Sequence, residues 1–197
     1  MRKTTKLGMI VAVALSGGLL ALASCSDIAR QNGPVQLIVT ITQNISTIDL
    51  QGGAVGCDIS LGTVNLRSLF LQDPTGTIPT DNRFNDIQLR SYRVTYVRTD
   101  GGHQVPQPFV QTISGTLETG SVASTLNNFQ AFVPGAFDQA PFAALLPQNG
   151  GRDPETNRPF VQMDIILEVF GETLAGERVS GSARMPVTFC FNCNGCR

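Results

Sequence analysis

Thiol groups are the side chains in this sequence whose type and spacing could do chemistry. Cys190, Cys193 and Cys196 form a C-x-x-C-x-x-C pattern, and Cys57 stands far upstream of them. Thiols in such numbers form disulfides, ligate zinc or exchange electrons. Each of these uses demands a different environment, which the rest of the sequence must provide.

The three uses differ in what must surround the cysteines. A zinc site would need all four thiolates in one place under reducing conditions. A thioredoxin-type pair precedes a helix whose N-terminus lowers the thiol pKa, whereas only Arg197 follows Cys196. A c-type haem needs a histidine where Arg197 stands. Disulfides are therefore favoured if the chain reaches an oxidising compartment, and we expect no cofactor and no bound metal.

An export signal is indicated at the N-terminus. Basic residues occupy the start of the chain, and residues 7–23 are uncharged and mostly apolar. Glycines interrupt this run, and it is shorter than a membrane span requires. It ends in Leu22-Ala23-Ser24-Cys25, where two small residues separate a leucine from a cysteine.

These four residues resemble the lipobox of bacterial lipoproteins. The resemblance implies that residues 1–24 are a signal peptide, cleaved behind Ser24. It also implies that Cys25 becomes a lipidated N-terminal residue whose acyl chains hold the protein at a membrane. Aspartate follows only at Asp27, which by the sorting rule of that family favours the outer membrane over the inner one. The alternative is an ordinary cleaved signal in which Cys25 stands by chance.

Removal of residues 1–24 would leave 173 residues, enough for one domain with a sizeable core. The basic residues, 14 less the three in the signal, number 11 against 15 acidic ones, so the net charge is −4. The remaining arginines are scattered, which predicts no nucleic-acid partner. We expect a lipidated cysteine and tether at 25–34, a β-sandwich domain at 35–191 and a cysteine-containing tail at 192–197.

Apolar residues recur with period two over most of this domain, as they do in half-buried strands. A bulge near Ser91 is needed to bring Ile87 and Leu89 onto the face of Tyr92. Ala175-Gly176 predicts the turn of a hairpin. The alternation predicts a first strand that begins at Val35 and continues to Leu50 after a bend, and further strands at 59–71, 87–98, 109–118, 122–133, 160–170 and 178–189.

Two further positions constrain the elements. Pro186 lacks an N–H, so the last strand needs an edge or a bulge there. Residues 138–146 are the one plausible helix, capped by Asp138 and ended by Pro147, with Phe142, Leu145 and Leu146 packed inward. About seven strands and one short corner helix favour an all-β fold, an antiparallel two-sheet β-sandwich of immunoglobulin-like architecture.

The strand Tyr92-Arg93-Val94-Thr95-Tyr96 and the turn Asp100-Gly101 are similar to those of some bacterial lipoproteins that carry such a sandwich. The similarity implies no particular activity. In this architecture the last strand runs parallel to part of the first and ends near the turn that holds Cys57. We therefore expect Cys57 to pair with one tail cysteine and the other two to pair with each other.

Other side chains offer weaker candidates. The only histidine, His103, lies beside glycines and is interpreted as solvated surface. No nucleophile, metalloprotease or phosphate-binding motif occurs in the sequence. Two acidic groups are candidates for calcium, but neither has EF-hand spacing and turns use the same residues. They are Asp81, Asn82, Asn85 and Asp86 in one loop, and Asp153, Glu155 and Asn157 in another.

The sequence thus predicts a lipid-anchored protein of the cell envelope that acts as a non-enzymatic structural or interaction module. We expect the protein to contact a membrane through the lipid on Cys25, and the sequence does not identify any protein partner in the envelope. Recognition of a partner is expected at loops 72–86, 99–108 and 147–159. Two alternatives remain: a metal-binding or redox role of the cysteine cluster, and a carboxylate-based hydrolase in a cleft of the sandwich.

Overall fold

The computed structural model describes residues 34–43, 46–51, 62–71, 83–120, 123–126 and 129–193. The predicted signal, the lipobox with Cys25, and residues Cys57 and Cys196 lie outside these ranges. Within them the chain forms eight strands and no helix of seven or more residues, which confirms an all-β fold. The strands are β1 Val35–Thr42, β2 Thr47–Asp49, β3 Thr63–Phe70, β4 Ile87–Arg98, β5 Phe109–Leu117, β6 Ser124–Leu126, β7 Phe160–Thr173 and β8 Arg178–Cys190.

The strands form two sheets. One has the order β1-β3-β6, and the other has the order β2-β8-β7-β4-β5 and is curled into a half-barrel. Every pair is antiparallel except β2 with β8, which is parallel. The apolar faces of both sheets meet in one core, so the alternation in the sequence reports which side of each strand is buried.

The predicted continuation of the first strand to Leu50 is a second strand, which belongs to the other sheet. β1 pairs with β3, and β2 crosses over to pair with the end of β8, with Ile48 opposite Phe189. This crossing buries Val35 and Leu37 in one sheet and Ile48 in the other. The C-terminal end of β8 consequently lies beside Leu50, whose N–H donates to the Cys190 carbonyl at 2.8 Å.

The predicted bulge in β4 is confirmed. The register of β4 against both β5 and β7 shifts between Leu89 and Ser91. Because one residue is passed over, Leu89 and Tyr92 both face the core, although their sequence spacing would put them on opposite sides.

The hairpin of β7 and β8 is also confirmed, and its turn is closed by the Thr173 N–H donating to Glu177 O at 2.8 Å. Gly176 in this turn has φ +90°, a conformation that favours glycine. Pairing continues without a bulge past Pro186. β2 covers β8 only from Thr188 onwards, so Pro186 lies at an edge, as predicted.

The predicted helix at 138–146 is wrong. The chain instead forms short 3-10 turns, and Asp138 ends the first of them without capping anything. Pro141 is the physical reason, because it lacks an N–H and disfavours helical backbone in the residue before it. Phe142 and Leu145 are nevertheless buried, and Leu146 is partly buried, as predicted. The turns are Arg83–Asn85, Ala136–Asp138, Phe142–Leu145 and Pro147–Asn149.

The predicted strand at 122–133 is largely wrong as well, since among its described residues, 123–126 and 129–133, only Ser124–Leu126 pairs, with β3. Residues 129–133 are irregular, yet Phe129 and Phe132 are buried. Phe132 packs edge-on against Phe189 with ring centroids 5.6 Å apart, and Phe142 lies 4.4 Å from the same ring. Aromatic packing onto the core, rather than strand pairing, therefore holds this segment.

The register defines two ends of the domain. At the first, which we call the proximal end, β1 begins at Val35, opposite the end of β3, and Ile87 pairs with both Leu117 and Thr173. At the second, the distal end, β4 and β8 finish at Arg98 and Cys190. Loops 99–108 and 147–159 belong to the distal end, whereas residues 83–86 belong to the proximal end. The remainder of the predicted loop 72–86 lies outside the described residues.

Candidate functional site

A buried ion cluster lies at the distal end. Arg98, the last residue of β4, has a side chain only 1% exposed. Its Nε and Nη2 donate to the two carboxylate oxygens of Asp100 at 2.7 and 2.8 Å, a bidentate pairing. Nη2 also donates to Asp153 Oδ2 at 2.8 Å, and both aspartate side chains are fully buried.

The strand pattern explains how an arginine came to be buried. Tyr92, Val94, Tyr96 and Arg98 occupy alternate positions of β4, and all four face inward. Arg98 therefore projects from the core side of the strand just where the strand ends. Arg98 was not among the predicted site residues. A charge that continues an apolar alternation is nevertheless a readable signal, because a buried charge must find partners.

Asp100 organises the loop that follows β4. Its Oδ1 accepts the N–H of Gly102 at 3.2 Å, and its Oδ2 accepts the N–H of Gln162 on β7 at 2.9 Å. A Cβ on Gly102 would stand 2.5 Å from the Cζ of Arg98, so this position has no room for a side chain. The predicted turn at 99–102 is thus confirmed, with its second glycine required by the ion cluster.

Asp153 and Glu155 bring the second loop to the first. Asp153 Oδ2 also accepts the hydroxyl and the N–H of Thr156, at 2.7 and 3.0 Å. Glu155 Oε2 accepts the backbone N–H groups of His103 and Gln104, both at 2.8 Å, and lies 3.8 Å from Arg98 Nη1. Loops 99–108 and 147–159 are therefore joined through one arginine and three carboxylates.

The electrostatics favour the charged forms of these groups. Burial by itself would raise the pKa of Asp100, but hydrogen bonds from Arg98 and from two backbone N–H groups outweigh it and lower this pKa to about 2. The same opposition lowers the pKa of Asp153. Burial acts to lower the pKa of Arg98, and its two aspartate partners more than reverse this and raise it.

The acidic residues predicted as a calcium candidate in loop 147–159 hold the loops in place in this arrangement. Asp153 and Glu155 bind Arg98 and loop N–H groups, while Asn157 adopts φ +57° and donates its N–H to the Asp153 carbonyl at 2.8 Å. Asp100 and Asp153 both have fully buried side chains that are bonded to Arg98.

The second predicted acidic group is only partly described. Asp86 Oδ1 accepts the Thr119 N–H at 2.9 Å, and the Asn85 carbonyl accepts the Thr119 hydroxyl at 2.6 Å. Asp81 and Asn82 lie outside the described residues. Over the ranges that the structure covers, no group of three or more His, Cys, Asp or Glu side chains is arranged to hold a metal ion. His103 has an exposed side chain.

The cysteine tail is fastened at the same end. A disulfide joins Cys190 to Cys193, with Cα atoms 6.0 Å apart, as expected for two tail cysteines that pair with each other. Buried Asp49 of β2 accepts the N–H groups of Asn192 and Cys193, both at 2.9 Å. A disulfide uses both of its thiols, so this pair does not supply the thiolates that a four-cysteine zinc site needs.

Comparison with known proteins identifies no relative from which a function could be inferred. No protein-family model matches the chain, and neither curated proteins nor solved structures give a match. In the part of the chain that the structure describes, no helix is long and apolar enough to cross a bilayer.

Proposed function

We propose that this protein is a lipid-anchored, non-enzymatic module of the bacterial cell envelope that presents a fixed pair of loops to a partner. The observation that carries the proposal is the placement of the Arg98 cluster. It joins loops 99–108 and 147–159 at the distal end, whereas the chain enters the domain at Pro34, at the proximal end. An anchor before Pro34 and a recognition surface across the domain suit a protein that projects from a membrane.

The lipid anchor rests on the residues that resemble a lipobox, Leu22-Ala23-Ser24-Cys25. Several acyl chains on one cysteine, each methylene contributing about 0.8 kcal/mol when buried, would hold the protein stably at a bilayer. The outer membrane remains the favoured location because Ser26 rather than an aspartate follows the cysteine. The Cys190–Cys193 disulfide supports export to an oxidising compartment.

We further propose that the domain is an immunoglobulin-like sandwich. The strand orders β1-β3-β6 and β2-β8-β7-β4-β5 support this, as does the parallel pairing of β2 with the end of β8. On such a scaffold the loops at one end of the sheets are the usual place for recognition. The loops held by Arg98 occupy such an end.

The anchor is tested by the variant Cys25→Ser. We expect the wild-type protein to sediment with membranes and the variant to remain in the soluble fraction, because serine offers no thiol for a thioether-linked lipid. Ser26→Ala is the matched control, since it changes the neighbouring residue but leaves the Cys25 thiol intact, and it should stay with membranes. A Cys25→Ser protein that stays membrane-bound would contradict the anchor.

The recognition surface is tested by photo-cross-linking in intact cells. A photo-reactive residue at Gln107, exposed in the distal loop, should give a discrete adduct, whereas one at Thr116, exposed near the proximal end of β5, should not. The additional change Arg98→Met should weaken the Gln107 adduct, because the two loops lose their shared partner. Equal adducts at both positions, or indifference to Arg98→Met, would count against the proposal.

A further inference from the structure

Three large apolar side chains are exposed together at the proximal end. Phe84 is 71% exposed, Leu174 is 46% exposed and Leu71 is 44% exposed. They come from two connections: Leu71 and Phe84 lie at opposite ends of the one between β3 and β4, and Leu174 lies in the one between β7 and β8. A cluster of large exposed apolar side chains marks a surface that meets a protein partner or a membrane.

Backbone hydrogen bonds fix the connections that carry these side chains. Ala175 N–H donates to the Phe84 carbonyl at 3.0 Å, and Leu174 N–H donates to the Asp86 carbonyl at 3.0 Å. The segment before β4 is thereby tied to the turn after β7. Phe84 and Leu174 therefore belong to one ordered surface.

Leu71 is tied to the same surface through the other sheet. Buried Ser68 of β3 bonds the hydroxyl of Thr119 at 2.9 Å, and its carbonyl accepts the Gly120 N–H at 3.0 Å. Thr119 in turn donates its N–H to Asp86. These contacts link both sheets across the proximal end, and we call the surface formed by Leu71, Phe84 and Leu174 the apolar end.

The chain from the proposed anchor arrives at this surface. Leu71 N–H donates to the carbonyl of Pro34 at 2.8 Å, so the first described residue lies beside the apolar end. Eight residues lie between Cys25 and Pro34, so the nine steps from one to the other span at most about 30 Å when fully extended. A lipid on Cys25 would therefore keep the apolar end within reach of the bilayer surface.

We propose that the apolar end rests on the lipid bilayer, with Phe84, Leu71 and Leu174 entering its interfacial region. The proposal rests on the lipidation of Cys25, which supplies the bilayer as the neighbouring apolar phase. Burial of these side chains in lipid would orient the domain, so that the distal loops point away from the membrane. The lipid would attach the protein to the bilayer, and the apolar end would fix the orientation of the domain on it.

Tryptophan fluorescence tests this contact, because the chain contains no tryptophan. The full-length chain with Phe84→Trp, matured in cells, is reconstituted into phosphatidylethanolamine–phosphatidylglycerol vesicles that contain brominated phosphatidylcholine. We expect a blue-shifted emission and a large loss of intensity relative to vesicles without bromine. Val97→Trp is the control, since Val97 is 47% exposed at the distal end, and its emission should be unchanged.

Mass spectrometry of residue 25 in the same sample separates the two proposals. If the lipid is present and Phe84→Trp is not quenched, or is quenched no more than Val97→Trp, the orientation is wrong while the anchor stands. If residue 25 carries no lipid, both proposals fail. A blue-shifted emission without quenching would mean that protein, either residues 72–82 or a second copy, covers the apolar end, and would also overturn the inference.

Discussion

Arg98 shows how one side chain can determine the arrangement of a whole end of this domain. It is buried on the core face of β4, and it has partners because two loops deliver carboxylates to it. Loss of one member of a buried ion pair leaves the other charge unpaired, which typically costs about 3–5 kcal/mol. By contrast, the exposed pair of Arg93 with Glu168 on the outer face of the same sheet has water as an alternative partner.

The depressed pKa of Asp100 predicts a specific loss of stability in acid. The carboxyl titrates at its ordinary 3.8 in the unfolded chain and at about 2 in the folded one. Its stabilisation is therefore complete above pH 4 and is lost as the pH falls towards 2, amounting to about 2 kcal/mol. Urea unfolding at a series of pH values should show this decline. Asp153, whose pKa is also lowered, contributes in the same direction.

The variant Asp100→Asn tests the origin of that decline. It should be less stable than the wild type at pH 7, and its stability should fall less between pH 4 and 2, because its amide does not titrate. Glu168→Gln serves as the control, since it removes a carboxylate from an exposed pair and should preserve the wild-type acid slope. An acid slope unchanged by Asp100→Asn would show that other carboxylates produce it.

At the scale of elements, the sequence predicted best where alternation alone decides the structure. β4, β7 and β8 each carry a long two-residue period, and both the hairpin of β7 with β8 and the bulge near Ser91 were predicted correctly. Arg98 continues that period, so the centre of the distal cluster was readable in principle. Its acidic partners were not, because their selection depends on loops that meet only in three dimensions.

The errors fall between β5 and β7. Residues 129–133 alternate like a strand, and residues 138–146 are spaced like a short helix. In the structure the first segment is irregular and the second forms short 3-10 turns. Phe132, Phe137 and Phe142 pack together around Phe189, and this tertiary contact determines the backbone there. Local propensity carries no information about a ring that arrives from the end of the chain.

The close packing of β1 against β8, where the two sheets meet, predicts that Gly181 of β8 tolerates no side chain. A Cβ there would overlap the carbonyl oxygen of Leu37 and approach Val39 Cγ2 to 2.9 Å. Since backbone cannot yield cheaply, Gly181→Ala should destabilise the protein by about 1–3 kcal/mol in denaturant unfolding. Ser182→Ala, on the exposed side of the same strand, should change stability by less than about 0.5 kcal/mol. Equal effects of the two variants would place the sheets further apart.

At the scale of the whole molecule, the two ends have different characters. The proximal end is apolar and receives the chain from the proposed anchor, whereas the distal end holds buried charges, fixed loops and the cysteine tail. One face of the domain thus suits a bilayer, and the opposite one suits recognition in water. The net charge of the chain, −1 including the predicted signal, does not reveal this difference between the two ends, because it says nothing about where the charged side chains lie.

The tail cysteines predict a second disulfide, one that joins residues far apart in the sequence. With Cys190 and Cys193 joined, Cys57 and Cys196 are the remaining pair of the four, and Cys57 follows in sequence eight residues after Asp49, which pairs with Cys190. A disulfide that closes so long a loop is worth about 4–5 kcal/mol in the chain-entropy model, whereas the short loop from Cys190 to Cys193 confines few residues. We therefore expect Cys57→Ser and Cys196→Ser each to lower stability by several kcal/mol and the double variant to lower it no further, because either change breaks the same bond.

The control is Cys190→Ser combined with Cys193→Ser, which should lower stability much less. Denaturant unfolding, with peptide mapping of the non-reduced protein, measures both points, and additive effects of Cys57→Ser and Cys196→Ser would show that these two cysteines are not partners.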